Sequence, residues 1–120
     1  MADWEREIEI ELQRAGGSAN PGRLRTAARR IAGIAVQQMQ NQENPLVGAH
    51  DYMSALRLFI NSGNIPPEVS AAAERLESRL SADFTSQSVD PIGDAMLIVE
   101  YVRSRLRKNG KEKNGHQIPD

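Results

Sequence analysis

Residues 21–39 read PGRLRTAARRIAGIAVQQM, and this stretch decides the fold class. Its apolar residues recur three and four positions apart, which is the spacing of one face of an α-helix. They are Leu24, Ala27, Ala28, Ile31, Ile34 and Ala35. Asn20 followed by Pro21 is a start signal, because an asparagine side chain can cap a helix and proline suits its first position. The stretch predicts a helix over 21–40, and Gly33 within it predicts that another helix backbone comes close.

The same apolar spacing recurs on both sides of this stretch. It predicts helices over 3–15, 21–40, 50–61, 67–80 and 91–107, the last opened by a second cap-and-proline pair, Asp90-Pro91. No segment has the alternating pattern of a strand. The sequence therefore predicts an all-α fold, a four- to five-helix up-down bundle in a single domain over residues 1–107. A flexible basic tail is expected over 108–120, and the polar loop 81–90 is expected to bring Phe84 to the core.

Composition excludes several classes of protein. Among 120 residues, 15 are basic and 16 acidic, so the whole chain is not a polycation that binds nucleic acid or membranes. The chain contains no cysteine and two histidines, which argues against disulfides, thiolate chemistry and a metal site, and no cofactor is implied. No apolar run approaches the roughly 20 residues of a membrane span. We expect a cytoplasmic protein without a membrane partner.

An arginine cluster is the first candidate site. Arg23, Arg25, Arg29 and Arg30 lie in a segment without any acid between residues 15 and 42. Guanidinium groups suit phosphate geometry, so the cluster could bind an anion, a nucleotide or a nucleic-acid backbone. The alternative is pairing with the first helix, where residues 1–15 carry five acids against two arginines. We favour the pairing, because two neighbouring helices of opposite charge neutralise each other, and no ligand is then needed to account for the arginines.

Two weaker candidates lie elsewhere. The last predicted helix ends in a basic run that could contact nucleic acid, but cations in a last helical turn also complement the helix dipole. His50 precedes Asp51 at the start of the third helix, where a histidine beside a carboxylate could act as a general base. We favour Asp51 as a helix cap, because adjacent residues on a helix point about 100° apart. No catalytic residue is predicted.

The fifth helix is apolar over more than one face. Its predicted core stripe contains Ile92, Ala95, Met96, Val99, Val102 and Leu106. Leu97, Ile98 and Tyr101 add apolar surface beside that stripe. A small domain has limited interior, and exposed apolar area commonly marks an interface. We therefore expect a homodimer whose interface includes part of these three residues. The alternative is that the loop carrying Phe84 covers them.

The helix pattern resembles HEPN-type helical bundles. The resemblance rests on the second helix, which reads Arg-x-x-Ala-x-x-Ala-x-x-Ile-Ala in that family, and here runs from Asn20-Pro21-Gly22-Arg23 through Ala35. The final helix, from Asp90-Pro91 to Leu106, is similar to the last helix of those domains. With the opening amphipathic helix and the short Gly/Asn turn after it, the resemblance covers most of residues 3–107. The resemblance implies a four- or five-helix bundle that often forms a symmetric homodimer. Many members resemble ribonucleases of toxin or defence systems, and others are inactive binding domains.

The ribonuclease motif of that family, an arginine and a following histidine with four to six residues between them, is missing. Residues 43–45, ahead of His50, read Glu-Asn-Pro. Residues 109–111, ahead of His116, read Asn-Gly-Lys. The sequence therefore predicts a noncatalytic helical interaction domain that forms a homodimer and could bind a protein partner. The alternative is a nucleic-acid or nucleotide-binding domain that uses the Arg-rich second helix, and we favour the first.

Overall fold

The computed structural model describes residues 3–16, 20–43, 51–78 and 90–117, with side chains up to Lys108 in the last range. Five helices account for these ranges, and no strand occurs within them. They are α1 (Asp3–Gly16), α2 (Pro21–Glu43), α3 (Tyr52–Asn61), α4 (Pro67–Glu77) and α5 (Pro91–Gln117). The predicted all-α, five-helix fold is confirmed.

Side-chain caps fix three of the helix starts. Asn20 Oδ1 accepts a hydrogen bond at 2.9 Å from the amide two residues further along, at the start of α2. Asp51 Oδ1 accepts from the amide of Ser54 at 2.7 Å, and Asp90 Oδ1 accepts from an amide in the first turn of α5 at 3.1 Å. Each cap satisfies an amide that has no partner within its own helix. The predicted starts at 21 and 91 and the predicted cap at Asp51 are therefore confirmed.

The helix ends differ from the prediction by several residues. α2 continues to Glu43, beyond the predicted end at 40, and α4 ends at Glu77 because the backbone of Ser78 is extended. α5 continues to Gln117, ten residues beyond the predicted end at 107. Flexibility of residues 108–120 stays a prediction, and residues 118–120 lie outside the described residues. So does the segment 79–89, with the predicted role of Phe84.

The core is organised around α2, which packs against each of the other four helices. Six consecutive residues, 31–36, are buried, so that no side of the helix faces solvent over this part of its length. Small side chains make this enclosure feasible, because Ala28, Ala32 and Ala35 are fully buried and allow the neighbouring helices to come close. The central helix of the bundle is therefore α2.

Gly33, in the middle of α2, marks a close contact with α3. A Cβ atom placed on Gly33 would lie 2.7 Å from Cγ and 2.8 Å from Cδ1 of Tyr52, the first residue of α3. Such distances are well inside the ~3.5–4.0 Å of carbon–carbon contact. Gly33 is therefore a point of close packing, but its neighbour is a side chain of α3 and not, as predicted, the backbone of another helix. About a third of the tyrosine surface remains exposed.

The core face of α5 includes the whole predicted stripe, which is buried or packed against the core, and it also includes Ile98. Ala95, Ile98, Val99 and Val102 are all fully buried, and their spacing of i, i+3, i+4 and i+7 defines a single helical face. Ile98 is part of the core of one chain, so its assignment to a surface interface is wrong. Leu97 points the other way and is 44% exposed.

Ion pairs join α5 to three of its neighbours. Arg75 of α4 donates two hydrogen bonds to the carboxylate of Asp94, at 3.0 and 2.7 Å. Arg103 pairs with Glu5 of α1 at 2.8 Å, and Arg105 pairs with Glu43 of α2 at 2.6 Å. Two arginines of the basic C-terminal run thus hold helices together. Contact between the rest of that run and nucleic acid stays a prediction.

Candidate anion-binding cleft

The four arginines of the predicted cluster have three different environments. Arg29 is half-buried and points toward the C-terminal end of α4. Its Nε donates to the carbonyl of Leu76 at 2.6 Å, and its Nη2 donates to the carbonyl of Ser78 at 2.9 Å. Carbonyls in the last turn of a helix have no partner within that helix, so Arg29 satisfies the end of α4. Arg29 therefore has a structural role at the end of α4, and its anion binding stays a prediction.

Burial and a neighbouring charge both disfavour the charged form of Arg29. Burial is the larger cause that lowers the pKa of its guanidinium, and the positive charge of Arg25 lowers that pKa further, against a smaller opposing effect of Glu77. Desolvation and a like charge act in the same direction on a basic group. Arg25 therefore lies close enough to Arg29 for their charges to repel each other.

Arg30 pairs with the acidic first helix, as expected for part of the cluster. Its Nη1 lies 3.9 Å from Oε1 of Glu11, and the same oxygen lies 3.5 Å from Nη1 of Arg14. Both distances are longer than the ~2.7–2.9 Å of a charge-assisted hydrogen bond. The carboxylate is therefore loosely held between two exposed arginines.

Arg23 and Arg25 have no ion pair or hydrogen bond to a carboxylate within the described part of the chain. The prediction that the cluster pairs with α1 therefore holds for Arg30 and is wrong for the other three. The physical reason is the distribution of acids on α1. Glu11 is the acid of that helix that reaches α2, and one carboxylate cannot neutralise the whole cluster.

Arg23, Arg25 and Arg30 line an open cleft of about 600 Å³ between the end of α1 and the start of α2. Its charged lining consists of Arg14, Arg23, Arg25, Arg30 and Glu11. The remaining lining residues are Ala15, Asn20, Gly22, Thr26 and Ala27. The volume lies in the ~300–1,000 Å³ range of small-ligand sites. We call this feature the arginine cleft.

The chemistry of the lining favours binding over catalysis. Guanidinium groups form paired hydrogen bonds to phosphate or carboxylate oxygens and keep their charge at all ordinary pH values. The described lining residues include no histidine or cysteine, and Glu11 lies between two arginines. The arginine cleft is suited to hold an anion rather than to move a proton.

Arg14 is the member of the cleft that the sequence did not reveal. It lies at the end of a helix whose charge is dominated by acids, and it faces α2 only because α1 packs against that helix. Its signal in the sequence is its spacing of three residues from Glu11, which puts both on one side of the helix.

A second cavity of about 320 Å³ lies between α2, α3 and α5. Arg105 lines it and bridges Glu43 at 2.6 Å and the hydroxyl of Tyr101 at 2.7 Å. Hydrogen bonds to these two groups raise the pKa of Arg105, so its charge is already satisfied within the protein. This cavity offers no unpaired charge to a ligand.

The remaining predicted site residues are dispersed. Tyr101 is half-buried, and its ring meets that of Phe59 edge to face at a centroid distance of 5.9 Å. Its predicted role in an interface is therefore limited to part of its surface. His50 and the side chain of His116 lie outside the described residues, so no catalytic role for either is tested.

Comparison of the chain with protein-family models, curated proteins and solved structures finds no match. The HEPN resemblance thus stays a prediction from the sequence. Among the described residues, no helix is long and apolar enough to cross a membrane, and no three acidic, histidine or cysteine side chains cluster in a way that could hold a metal ion.

Proposed function

We propose that this chain is a noncatalytic helical binding domain whose ligand carries phosphate, and that the arginine cleft binds it. The observation that carries the proposal is that Arg23 and Arg25 line the cleft without a carboxylate partner among the described residues. Arginines that served only to join helices would each have a carboxylate or backbone-carbonyl partner, as Arg75 and Arg29 do. A pair of guanidinium groups facing a cleft is suited to phosphate oxygens.

Retention on phosphocellulose tests this proposal. The double variant Arg23→Ala/Arg25→Ala should elute at clearly lower salt than the wild type, because phosphate neutralisation makes binding strongly salt-dependent. The matched control is Arg6→Ala/Arg107→Ala, which removes the same charge from exposed positions outside the cleft. Equal shifts in the two double variants would mean that retention depends on net charge alone, and the proposal would be wrong.

The noncatalytic part of the proposal has its own test. Purified protein incubated with RNA should leave the RNA intact, because the family's arginine-to-histidine spacing is absent from the sequence. Cleavage that persists through purification and disappears in a His50→Ala variant would overturn this part.

A homodimer is a second proposal and has a separate observation. Leu97 remains 44% exposed on α5, and a large exposed apolar side chain is suited to an interface. Light scattering at tens of micromolar should give twice the chain mass, and Leu97→Asp should halve it. Leu58→Asp is the matched control, since Leu58 is 43% exposed on α3. A wild-type mass equal to that of one chain would rule the dimer out.

A further inference from the structure

The carboxylates around the arginine cleft restrict the size of its ligand. On one side, Glu7 lines a neighbouring groove that shares Glu11 and Arg14 with the cleft. An extended polyanion that continued from the cleft into this groove would therefore meet the repulsive charge of Glu7. A compact anion that stays within the cleft would avoid that charge.

The charge of the lining suits a ligand with several negative charges. Four guanidinium groups and one carboxylate leave a surplus of three positive charges within about 600 Å³. A single phosphate monoester carries about two negative charges near neutral pH, so it would leave part of the surplus without a partner. A chain of three phosphates carries more charge and remains compact.

Among its described residues, the lining offers no aromatic ring on which a nucleobase could stack. Stacking on aromatic rings contributes about 1–3 kcal/mol per base where it occurs. The charged groups of the cleft are directed to phosphate oxygens, and a base attached to the phosphate chain would gain no aromatic stacking there.

Glu11 occupies the position of a competing anion within the cleft. Its side chain is 14% exposed and lies 3.5 Å from Arg14 and 3.9 Å from Arg30. These long contacts leave both guanidinium groups able to turn toward a ligand, while the negative charge opposes any anion that enters. Removing that charge should therefore favour binding.

We propose that the arginine cleft binds a compact polyphosphate chain, free or as the triphosphate of a nucleotide, with Glu11 as an internal competitor. This inference rests on the proposed function and adds the class of ligand. The probes are inorganic tripolyphosphate, ATP, GTP and a duplex DNA of 20 base pairs, titrated calorimetrically into the full chain in metal-free buffer at constant salt.

We expect tripolyphosphate to bind at least as tightly as ATP, and ATP and GTP to bind equally. The duplex should bind more weakly than tripolyphosphate. Arg23→Ala/Arg25→Ala should weaken tripolyphosphate binding by about tenfold or more, since charged hydrogen bonds are lost. Arg6→Ala/Arg107→Ala should change it by less than about twofold. Glu11→Gln should strengthen it several-fold, and circular dichroism would confirm that each variant remains helical.

The outcomes separate the two proposals. If none of the four probes binds, the proposed function fails and this inference fails with it. If the duplex binds more tightly than tripolyphosphate and depends on Arg23 and Arg25, phosphate binding stands and the compact ligand is wrong. Binding of ATP without binding of tripolyphosphate would show that the base is recognised, which also overturns the inference. Weaker binding in a folded Glu11→Gln variant would show that Glu11 positions the arginines rather than competes with the ligand.

Discussion

Gly33→Ala is expected to destabilise the protein although alanine is the better helix former. In an exposed helix interior, alanine gains about 1 kcal/mol over glycine. At Gly33 the new methyl group would lie 2.7 Å from Cγ and 2.8 Å from Cδ1 of Tyr52. Nearby atoms of Tyr52 belong to the base of its side chain, so a rotation of the ring cannot relieve the overlap. The first turn of α3 would have to move away from α2.

The magnitude follows from two opposing effects. Overpacking of a core costs about 1–3 kcal/mol, and the overlap with atoms close to the backbone places Gly33→Ala near the upper end. Subtracting the helix-propensity gain of about 1 kcal/mol leaves a net loss of about 2 kcal/mol. For a domain of this size, each kcal/mol lowers the melting temperature by about 4 °C, so the expected shift is about 8 °C.

The matched control is Gly16→Ala, at the last residue of α1. A Cβ atom at Gly16 would have no neighbour within 4 Å, so this variant should be neutral or slightly more stable. Urea unfolding followed by circular dichroism at 222 nm measures both variants against the wild type. If Gly33→Ala were as stable as Gly16→Ala, Tyr52 could not lie against α2 as the structure has it, and the reasoning would be refuted.

Two further predictions concern stability. Ile98→Ala should lower the free energy of unfolding by about 3 kcal/mol, as expected for a fully buried aliphatic side chain. Leu97→Ala should change the free energy of unfolding by less than about 0.5 kcal/mol. Equal losses in the two variants would contradict the core face assigned to α5. For Asp51, the hydrogen bond from the amide of Ser54 is the largest cause that lowers the carboxyl pKa. Its stabilising effect is therefore present above the unfolded pKa near 4 and is lost as pH falls through the lower folded pKa. Denaturant unfolding between pH 5 and pH 2 should show a smaller loss for Asp51→Asn than for the wild type, and identical pH profiles would contradict this role.

Helix starts could be predicted from the sequence because their determinants are local. Asn20, Asp51 and Asp90 each cap a helix through an amide two or three residues away, and a proline follows two of them. Close packing at Gly33 was predictable for a similar reason, since a glycine among buried small residues has few uses other than close packing, although its neighbour is the Tyr52 side chain and not a helix backbone. Interactions that span so few residues depend little on the rest of the fold.

The burial of Ile98 on the core face of α5 could not be derived in the same way. Apolar residues occupy positions 95–99 without interruption, so helical spacing allows more than one choice of face. The packing of α2 and α4 against α5 selects the face that contains Ile98. The buried face of a helix depends on the neighbouring helices, so the sequence pattern of one helix does not determine it.

The arginine cluster shows the same limit in its charges. The sequence shows that the first helix is acidic and the second basic, and from this it favours pairing between them. It does not show that Arg29 reaches the carbonyls of Leu76 and Ser78, 47 and 49 residues away. Backbone carbonyls accept hydrogen bonds from guanidinium groups as carboxylates do, but a count of charged residues does not include them.

Core and binding surface are separated along a single helix in this fold. Residues 31–36 of α2 are enclosed by the bundle, whereas the two turns before them are covered mainly through Ala27 and Ala28. Arg23 and Arg25 therefore project from a firmly held helix without taking part in its packing. A binding group needs a rigid support and an unused charge, and the start of α2 supplies both. Substitutions at these two arginines should accordingly change ligand binding and leave the stability of the bundle almost unaltered. Substitution of Arg29, four residues along the same helix from Arg25, should do the reverse.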